Sequence, residues 1–323
     1  MWGSLAWTLP LWVLVIADWL SPKIKPQQDG KAWGEFYNGI LYSLAFLQFL
    51  NIGLMLVFVS RLQWNTLEEI TIGLVNLIAV RILVGTSSGS SGIIAAHELI
   101  HRSSLFMQNL GRFLLWTVCY EHFAISHKQG HHRSVGKPHD ITTARLGESF
   151  HDYWRRVYKE HFRYAWRSEL ARLGIKNKSF SHISIIQNQV LQGLLSEITL
   201  AILITFFFGW IALLTFLYQS FAAVRLLETI NYYQHWGLGE RPGHSLAWVN
   251  DSWVTRHVLL GLSNHIDHHE NPNSHYQDIA YSDQGPKMPY GYFVMNLWVK
   301  LNNASYRKMA VRELEKLKSS MAA

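Results

Sequence analysis

The chain has 323 residues, 49% of them apolar, and a formal charge of +7. Its single cysteine, Cys119, excludes a disulfide framework, a zinc ribbon, a rubredoxin-type iron site and a plant-type iron–sulfur site, so any redox chemistry must draw its electrons from another protein. The excess base lies beside apolar segments, where such residues set membrane topology, and it does not call for nucleic acid.

A mean hydropathy near zero averages two populations, one nearly free of charge and one crowded with Arg, Lys and His. Trp2–Leu20 is a first expected span, short against the roughly 20 residues a bilayer asks for. It lacks a basic leader and a small-residue cleavage site, so it is expected to be retained. A polar loop follows with Lys23, Lys25, Asp29 and Lys31. Ile40–Ser60 is the second span, ended by Arg61. Ile70–Ala96 is the third, interrupted by a Gly/Ser run over 85–92 that permits close helix packing or marks a break between two short helices.

Leu105–Tyr120 is apolar but carries Arg112, so it is half-buried, re-entrant or a further span. From His122 to His182 the chain turns polar, with 12 Lys and Arg against 5 Asp and Glu, and with Trp154 and Trp166 interleaved. That composition predicts a water-facing region whose helices lie on the interface. Leu191–Phe208 and Trp210–Leu227 form a hairpin of spans turning at Gly209-Trp210. The remainder is polar apart from Phe293–Val299, and it ends in a basic amphipathic tail, Arg307–Lys318.

The expected fold is an all-α integral membrane protein: a bundle of five transmembrane helices, or six, in one domain over residues 1–323. A His-rich cytoplasmic cap is expected over 122–185 and 236–323. The loop with three lysines belongs inside and the loop with Glu68 and Glu69 outside. Five spans then place the His122–His182 region and the tail in the cytoplasm, whereas an even count needs a different start.

The 17 histidines are clustered. His97-Glu98-Leu99-Ile100-His101-Arg102 closes the third apolar segment, and its i, i+4 spacing puts both imidazoles on one helix face. His127-Lys128-Gln129-Gly130-His131-His132 repeats the spacing with a doubled His. Asn231-Tyr232-Tyr233-Gln234-His235 leaves the last span, and Asn264-His265-Ile266-Asp267-His268-His269 is the fourth box. Nine histidines at span ends call for metal, and neutral imidazole suits iron, copper, zinc and nickel. Nine nitrogens exceed the roughly six positions of one first-row ion, so two ions follow. A zinc-protease motif is excluded, because His-Glu-x-x-His is broken by one extra residue.

These boxes, with Glu121-His122-Phe123 before the second and Pro289–Tyr292 late in the chain, resemble those of the membrane-bound alkane 1-monooxygenases. That family sits within the desaturase and hydroxylase superfamily that includes xylene monooxygenase. The third box is the discriminating one. The resemblance implies a non-haem di-iron centre held by His97, His101, His127, His131, His132, His235, His265, His268 and His269. It also implies that Glu98, Glu121, Asp140 and Asp267 accept the outer N–H of ligand rings and fix their tautomers, with a salt bridge to Arg102 or another base as the alternative for Glu98 and Asp267. Ile100 stands where the family usually has Gly, Arg102 where it has Lys, Gln234 where it has Glu, and His275 where a base is common; none of these removes a ligand. His122 is expected to orient a ligand or bind water, and His139, His151, His161, His182, His244, His257 and His275 to be interfacial.

The implied activity is O2-dependent hydroxylation of an unactivated C–H bond in a hydrophobic substrate entering from the bilayer. Electrons would come from a rubredoxin or ferredoxin with its NAD(P)H-dependent reductase, in a bacterial inner membrane with the site on the cytoplasmic side. A desaturase or an alkyl-aromatic methyl hydroxylase using the same site is the first alternative. A His-rich metal transporter is the second.

Overall fold

The computed structural model describes residues 3–24, 34–175, 183–238 and 246–322. Trp2, Lys25, Asp29, Lys31, His182 and His244, which entered the sequence reading, lie outside the described residues. The chain is all-α, and no strand occurs among the described residues.

In chain order the helices are α1 (Gly3–Ala6), α2 (Leu9–Trp19), α3 (Gly34–Ser60), α4 (Leu67–Ser87), α5 (Ile93–Ile100) and α6 (Leu105–Trp116). The short α7 (Phe123–Ile125) and α8 (His132–Ser134) follow, then α9 (Phe150–Arg172), α10 (Gln189–Phe208) and α11 (Trp210–His235). The series closes with α12 (Trp253–Val258), α13 (His265–Glu270), α14 (Tyr292–Leu301) and α15 (Asn303–Ala322). Two π-helical turns, Ser88–Gly92 and Ser126–His131, join α4 to α5 and α7 to α8.

Among the described residues, four helices are long and apolar enough to cross a bilayer: α3, the 34-residue rod Leu67–Ile100, α10 and α11. At about 1.5 Å per residue α10 measures about 30 Å, the thickness of the hydrocarbon layer; α3 and α11 reach about 40 Å and the rod about 50 Å. The ends of α5 and α11 carry two of the histidine boxes.

The stretch expected as the first span is instead two short helices, α1 and α2. Pro10 has no amide hydrogen to continue the α1 ladder, and its ring opposes the carbonyl of Ala6, so the helix restarts at Leu9. Leu105–Tyr120 is likewise too short to cross: α6 has 12 residues.

The Gly/Ser run is neither a loop nor an uninterrupted α-helix. Ser88–Gly92 stays helical with i→i+5 bonding, the widened turn known from functional sites. Its small residues serve packing: a Cβ on Gly85 would stand 2.9 Å from Ala222 Cβ, and one on Gly92 would stand 2.7 Å from the Gln48 side chain. Gln48 Nε2 in turn donates to Ser88 Oγ (2.9 Å) and Thr117 Oγ1 (3.0 Å). The start of α4 is a capping box, with Thr66 and Glu69 satisfying each other's backbone N–H. The α10–α11 hairpin turns where expected, at Gly209 with φ +87°, a conformation that suits glycine.

The chain divides into two compact units. The first comprises 1–13, 35–125 and 162–225. Its apolar core joins Ile52, Met55 and Val59 of α3, Val84 of α4, Ile204 of α10 and Phe216 of α11. The opposite faces of these helices expose large apolar side chains such as Phe46, Leu54, Ile78, Ile202 and Phe206. An apolar surface of that extent is stable against lipid rather than water.

The second unit comprises 14–34, 126–161 and 226–323. Buried aromatics organise it: Trp248 Nε1 donates to Trp236 O (2.9 Å), and Tyr232 OH donates to Glu148 O (2.7 Å). Asp18, on α2, is buried and accepts from Ser252 Oγ (2.7 Å), Thr255 Oγ1 (2.8 Å) and the N–H groups of Phe293 and Val294 at the start of α14. A carboxylate at a helix N-terminus is favoured by the helix dipole, which accounts for a buried charge on an otherwise apolar helix.

Candidate metal centre

The second unit gathers seven of the nine predicted histidines into two groups. One holds His131, His235, His265 and His269; the other holds His127, His132 and His268. Within each group the ligand atoms lie within 4.8 Å of one another. In the first unit His97 and His101 stand one turn apart at the end of α5, with ring centroids 5.0 Å apart.

Local backbone decides this partition. Over Ser126–His131 the i→i+5 turn brings His127 opposite His132, not His131, and their Nε2 atoms are 2.9 Å apart. His131 is thereby turned toward His235 and His269, with ring centroids 4.7 Å from each. In α13 the ordinary α turn pairs His265 with His269 (Nε2 to Nε2 3.0 Å), while His268 faces His132 at 4.8 Å between centroids. Each doubled histidine thus supplies one ring to each group. His235, last residue of α11, reaches His265 with 3.1 Å between Nε2 atoms.

These spacings fit a metal site. Two nitrogens bound at about 2.1 Å to one ion are about 3.0 Å apart at a right angle and about 3.4 Å apart at a tetrahedral angle. The tautomers agree where they are determined. His235 Nδ1 lies 3.0 Å from Leu246 O, and a carbonyl only accepts, so Nδ1 carries the proton and Nε2 keeps its lone pair. His131 Nδ1 lies 2.9 Å from Asp140 Oδ2, which also accepts from Thr143 Oγ1 (2.7 Å), while Oδ1 accepts from Thr142 N–H (3.2 Å). Burial pushes the Asp140 carboxyl up. The adjacent His131 ring, through its Nδ1–H hydrogen bond, and the Thr143 hydroxyl outweigh it, holding Asp140 well below the usual carboxylate range. An ionised Asp140 makes His131 donate from Nδ1, so His131 Nε2 presents a lone pair; that atom is buried and has no hydrogen-bond partner. Burial, then the neighbouring His265 and His131 rings, hold His269 well below the ordinary histidine value, so it is neutral and able to bind metal. The Nε2 lone pairs of His131 and His235 lie in one group of ligand atoms, an arrangement that a cation stabilises.

Glu98 takes the salt bridge to Arg102 expected as its alternative, while Asp267 and Glu121 hold other partners. Asp267 Oδ1 accepts from Asn271 Nδ2 (2.8 Å) and Oδ2 from Ala280 N–H (2.8 Å), so it ties down the following loop instead of orienting a ring. The helix explains this: residue 267 points away from the face shared by 265, 268 and 269. Glu121 pairs with Arg112, packs against Gly193 and is raised above the usual carboxyl range, by burial first and against the pull of Arg112. Glu98 bonds Arg102 at 3.0 Å, both buried. Asp140 bonds a histidine of the site directly, through His131 Nδ1.

His139, His151, His257 and His275 are exposed. His122 is buried between Tyr120 and Phe162, and burial lowers it to about 4. His161, expected at the interface, is fully buried, with Nδ1 2.8 Å from Ser126 Oγ and Nε2 3.5 Å from Glu228. The signal for it was available, since His161 shares a four-residue step with Tyr153, Val157, Ala165 and Glu169, all at most 1% exposed. Gln234 is also buried and donates from Nε2 to Tyr292 OH (2.9 Å), which ties the third box to the late Pro-Tyr-Gly-Tyr motif.

A membrane bundle with paired histidine groups at helix ends defines a class, and comparison with known proteins agrees with it. Residues 72–293 match the family model for fatty acid desaturase. Alkane 1-monooxygenase 1 of Pseudomonas aeruginosa is 38% identical over 218 residues, covering 65% of this chain and 56% of the relative. Alkane 1-monooxygenase 2 of Alcanivorax borkumensis is 30% identical over 266 residues, covering 76% and 68%. The xylene/toluene monooxygenase hydroxylase component of Pseudomonas putida is 23% identical over 206 residues, covering 62% and 55%. The chain belongs to the fatty acid desaturase family, in its alkane 1-monooxygenase branch. It spans little more than half the length of the Pseudomonas aeruginosa relative.

Proposed function

We propose that the chain is the membrane-embedded component of a two-iron monooxygenase that hydroxylates an unactivated C–H bond, such as a terminal methyl of an alkane. The observation that carries this is the pair of histidine groups, with Nε2 atoms at 2.9–3.1 Å and outer nitrogens engaged at His131 and His235. His131, His235, His265 and His269 would hold one ion. His127, His132 and His268 would hold the other, completed by His97 and His101 as the family resemblance assigns them. Bound iron would supply the activation of O2.

The chain's own residues do the rest. Asp140 and Leu246 O set the tautomers, and the buried setting keeps His269 neutral. The apolar spans admit a hydrocarbon laterally and exclude water. Taken as four crossings, the spans return the chain to its starting side, so all four boxes fall on one face; we assign that face to the cytoplasm of a bacterial inner membrane. With one cysteine in the chain, electrons come from a separate rubredoxin or ferredoxin and its NAD(P)H-dependent reductase.

The match to the fatty acid desaturase model favours a second reading, a desaturase on an acyl chain or another lipid. One experiment separates them: metal analysis of the purified protein, with a product assay on alkanes, alkyl-aromatics and fatty acids. About two irons per chain and a primary alcohol support hydroxylation, whereas an alkene without alcohol overturns it. Zinc retained without O2-dependent turnover would favour a transporter.

A further inference from the structure

Taking the metal reading above as given, we propose that His161 is a positioning residue for the centre. Backed by Glu228, it holds the π-helical turn Ser126–His131 that divides the histidines between the two groups. Three side chains stand in line, with His161 Nδ1 2.8 Å from Ser126 Oγ and His161 Nε2 3.5 Å from Glu228 Oε1. All three residues are 0% exposed. Hydroxyl, imidazole and carboxylate in line also make up a hydrolase triad. No substrate reaches side chains this deep, so these three act on the chain itself.

The turn needs such a hold, because i→i+5 bonding is rare and survives where its surroundings impose it. Its far end closes locally: Ser134 Oγ donates to Gly130 O (2.6 Å), the back-bond that serine commonly makes in a helix. Its near end is tied instead to α9, where His161 lies 35 residues further along the chain. With Ser126 released, an ordinary α turn would set His127 beside His131. That would undo the 2.9 Å approach of His127 to His132 and draw His131 away from His235 and His269.

Glu228 joins this hold to the rest of the centre. Its Oε2 accepts from Tyr153 OH (3.2 Å) and from Asn231 Nδ2 (3.2 Å). Tyr153 OH also lies 3.0 Å from Thr142 O, in the loop whose Asp140 orients His131. On α11, Glu228 stands seven residues before His235, about two turns, and so on nearly the same face. One carboxylate therefore meets the support of His127, the loop beside His131 and the helix that ends in His235. Burying an imidazole and a carboxylate costs desolvation that an apolar cluster of the same volume avoids, so filling space does not account for the pair.

The test uses the full chain in detergent. Amide hydrogen exchange over Ser126–His131 in the metal-free protein reads the turn, and cobalt(II) titration against a chelator reads the centre. Asparagine places its amide where Nδ1 stands, and glutamine places its amide where Nε2 stands. His161→Asn therefore keeps the contact with Ser126, whereas His161→Gln gives it up. His161→Gln is expected to speed exchange over the turn, to weaken cobalt binding about tenfold and to alter the cobalt absorption spectrum. His161→Asn should lose much less of each. Ser126→Ala should match His161→Gln, and combining the two should add little. Unchanged exchange in His161→Gln overturns the proposal. So do equal losses in the asparagine and glutamine variants, the result expected if His161 only fills the core. If both His161 variants fail to fold, Ser126→Ala decides, and unchanged exchange there overturns the proposal. A wild type that binds no cobalt refutes the metal reading instead, while exchange in the metal-free chain still decides whether His161 holds the turn.

Discussion

Asp140→Asn perturbs the centre without removing a ligand. In the native fold Oδ1 takes the Thr142 N–H, while Oδ2 takes both the Thr143 hydroxyl and His131 Nδ1. Asparagine offers one acceptor atom and one NH2 group. If its oxygen stays on Thr142, its NH2 faces the His131 Nδ1–H, and two donors meet in a site that is 5% exposed. His131 then relieves the conflict by moving its proton to Nε2, the atom that faces His235 and His269. If the amide flips, its NH2 confronts the Thr142 N–H instead, and a buried donor goes unsatisfied at a cost of about 1–3 kcal/mol. Either outcome should weaken metal binding about 10–100-fold, or roughly 1.4–2.8 kcal/mol. Thr143→Val removes only one supporting hydrogen bond and should cost about 1 kcal/mol. The assay is iron titration against a competing chelator, with metal per chain from elemental analysis. Affinity within twofold of wild type for Asp140→Asn would refute the tautomer reasoning.

Other perturbations test the remaining structure. His131→Ala and His268→Ala should each lower bound iron and abolish turnover, while exposed His257→Ala should do neither; elemental analysis and a product assay check all three. Asp18→Ala strands two hydroxyls and two N–H groups in the second unit, so thermal unfolding in detergent should show a loss of about 3–5 kcal/mol. Gly193→Ala puts a methyl into the space of the Glu121 carboxylate and should destabilise by about 1–3 kcal/mol. Because the clash is with one side chain, the same change in a Glu121→Ala background should cost measurably less, as a double-mutant cycle would show.

Much of the architecture was legible because it follows from local composition. Uninterrupted apolar runs marked α3, α10 and α11, and Gly209 marked the hairpin turn. The four boxes were equally plain, since imidazoles at helix spacing beside span ends have few other uses. Less legible was the N-terminal stretch, where apolar content alone did not weigh the break at Pro10. His161 was misplaced because a polar helix was taken as surface throughout, although its four-residue rows mark one face as core.

By itself the sequence determined the membrane class and the nine clustered histidines, and it led to the expectation of two metals. Only the tertiary structure decided how the rings divide. An i, i+4 reading of the second box pairs His127 with His131, and the π turn at Ser126–His131 instead pairs His127 with His132 and releases His131 to the other group. The carboxylates followed the same rule. Asp140 and Asp267 look alike in the sequence, yet one meets His131 and the other meets Asn271 and Ala280. Which atoms a side chain meets depends on helix phase and on chain returning from far away, and residue spacing carries neither.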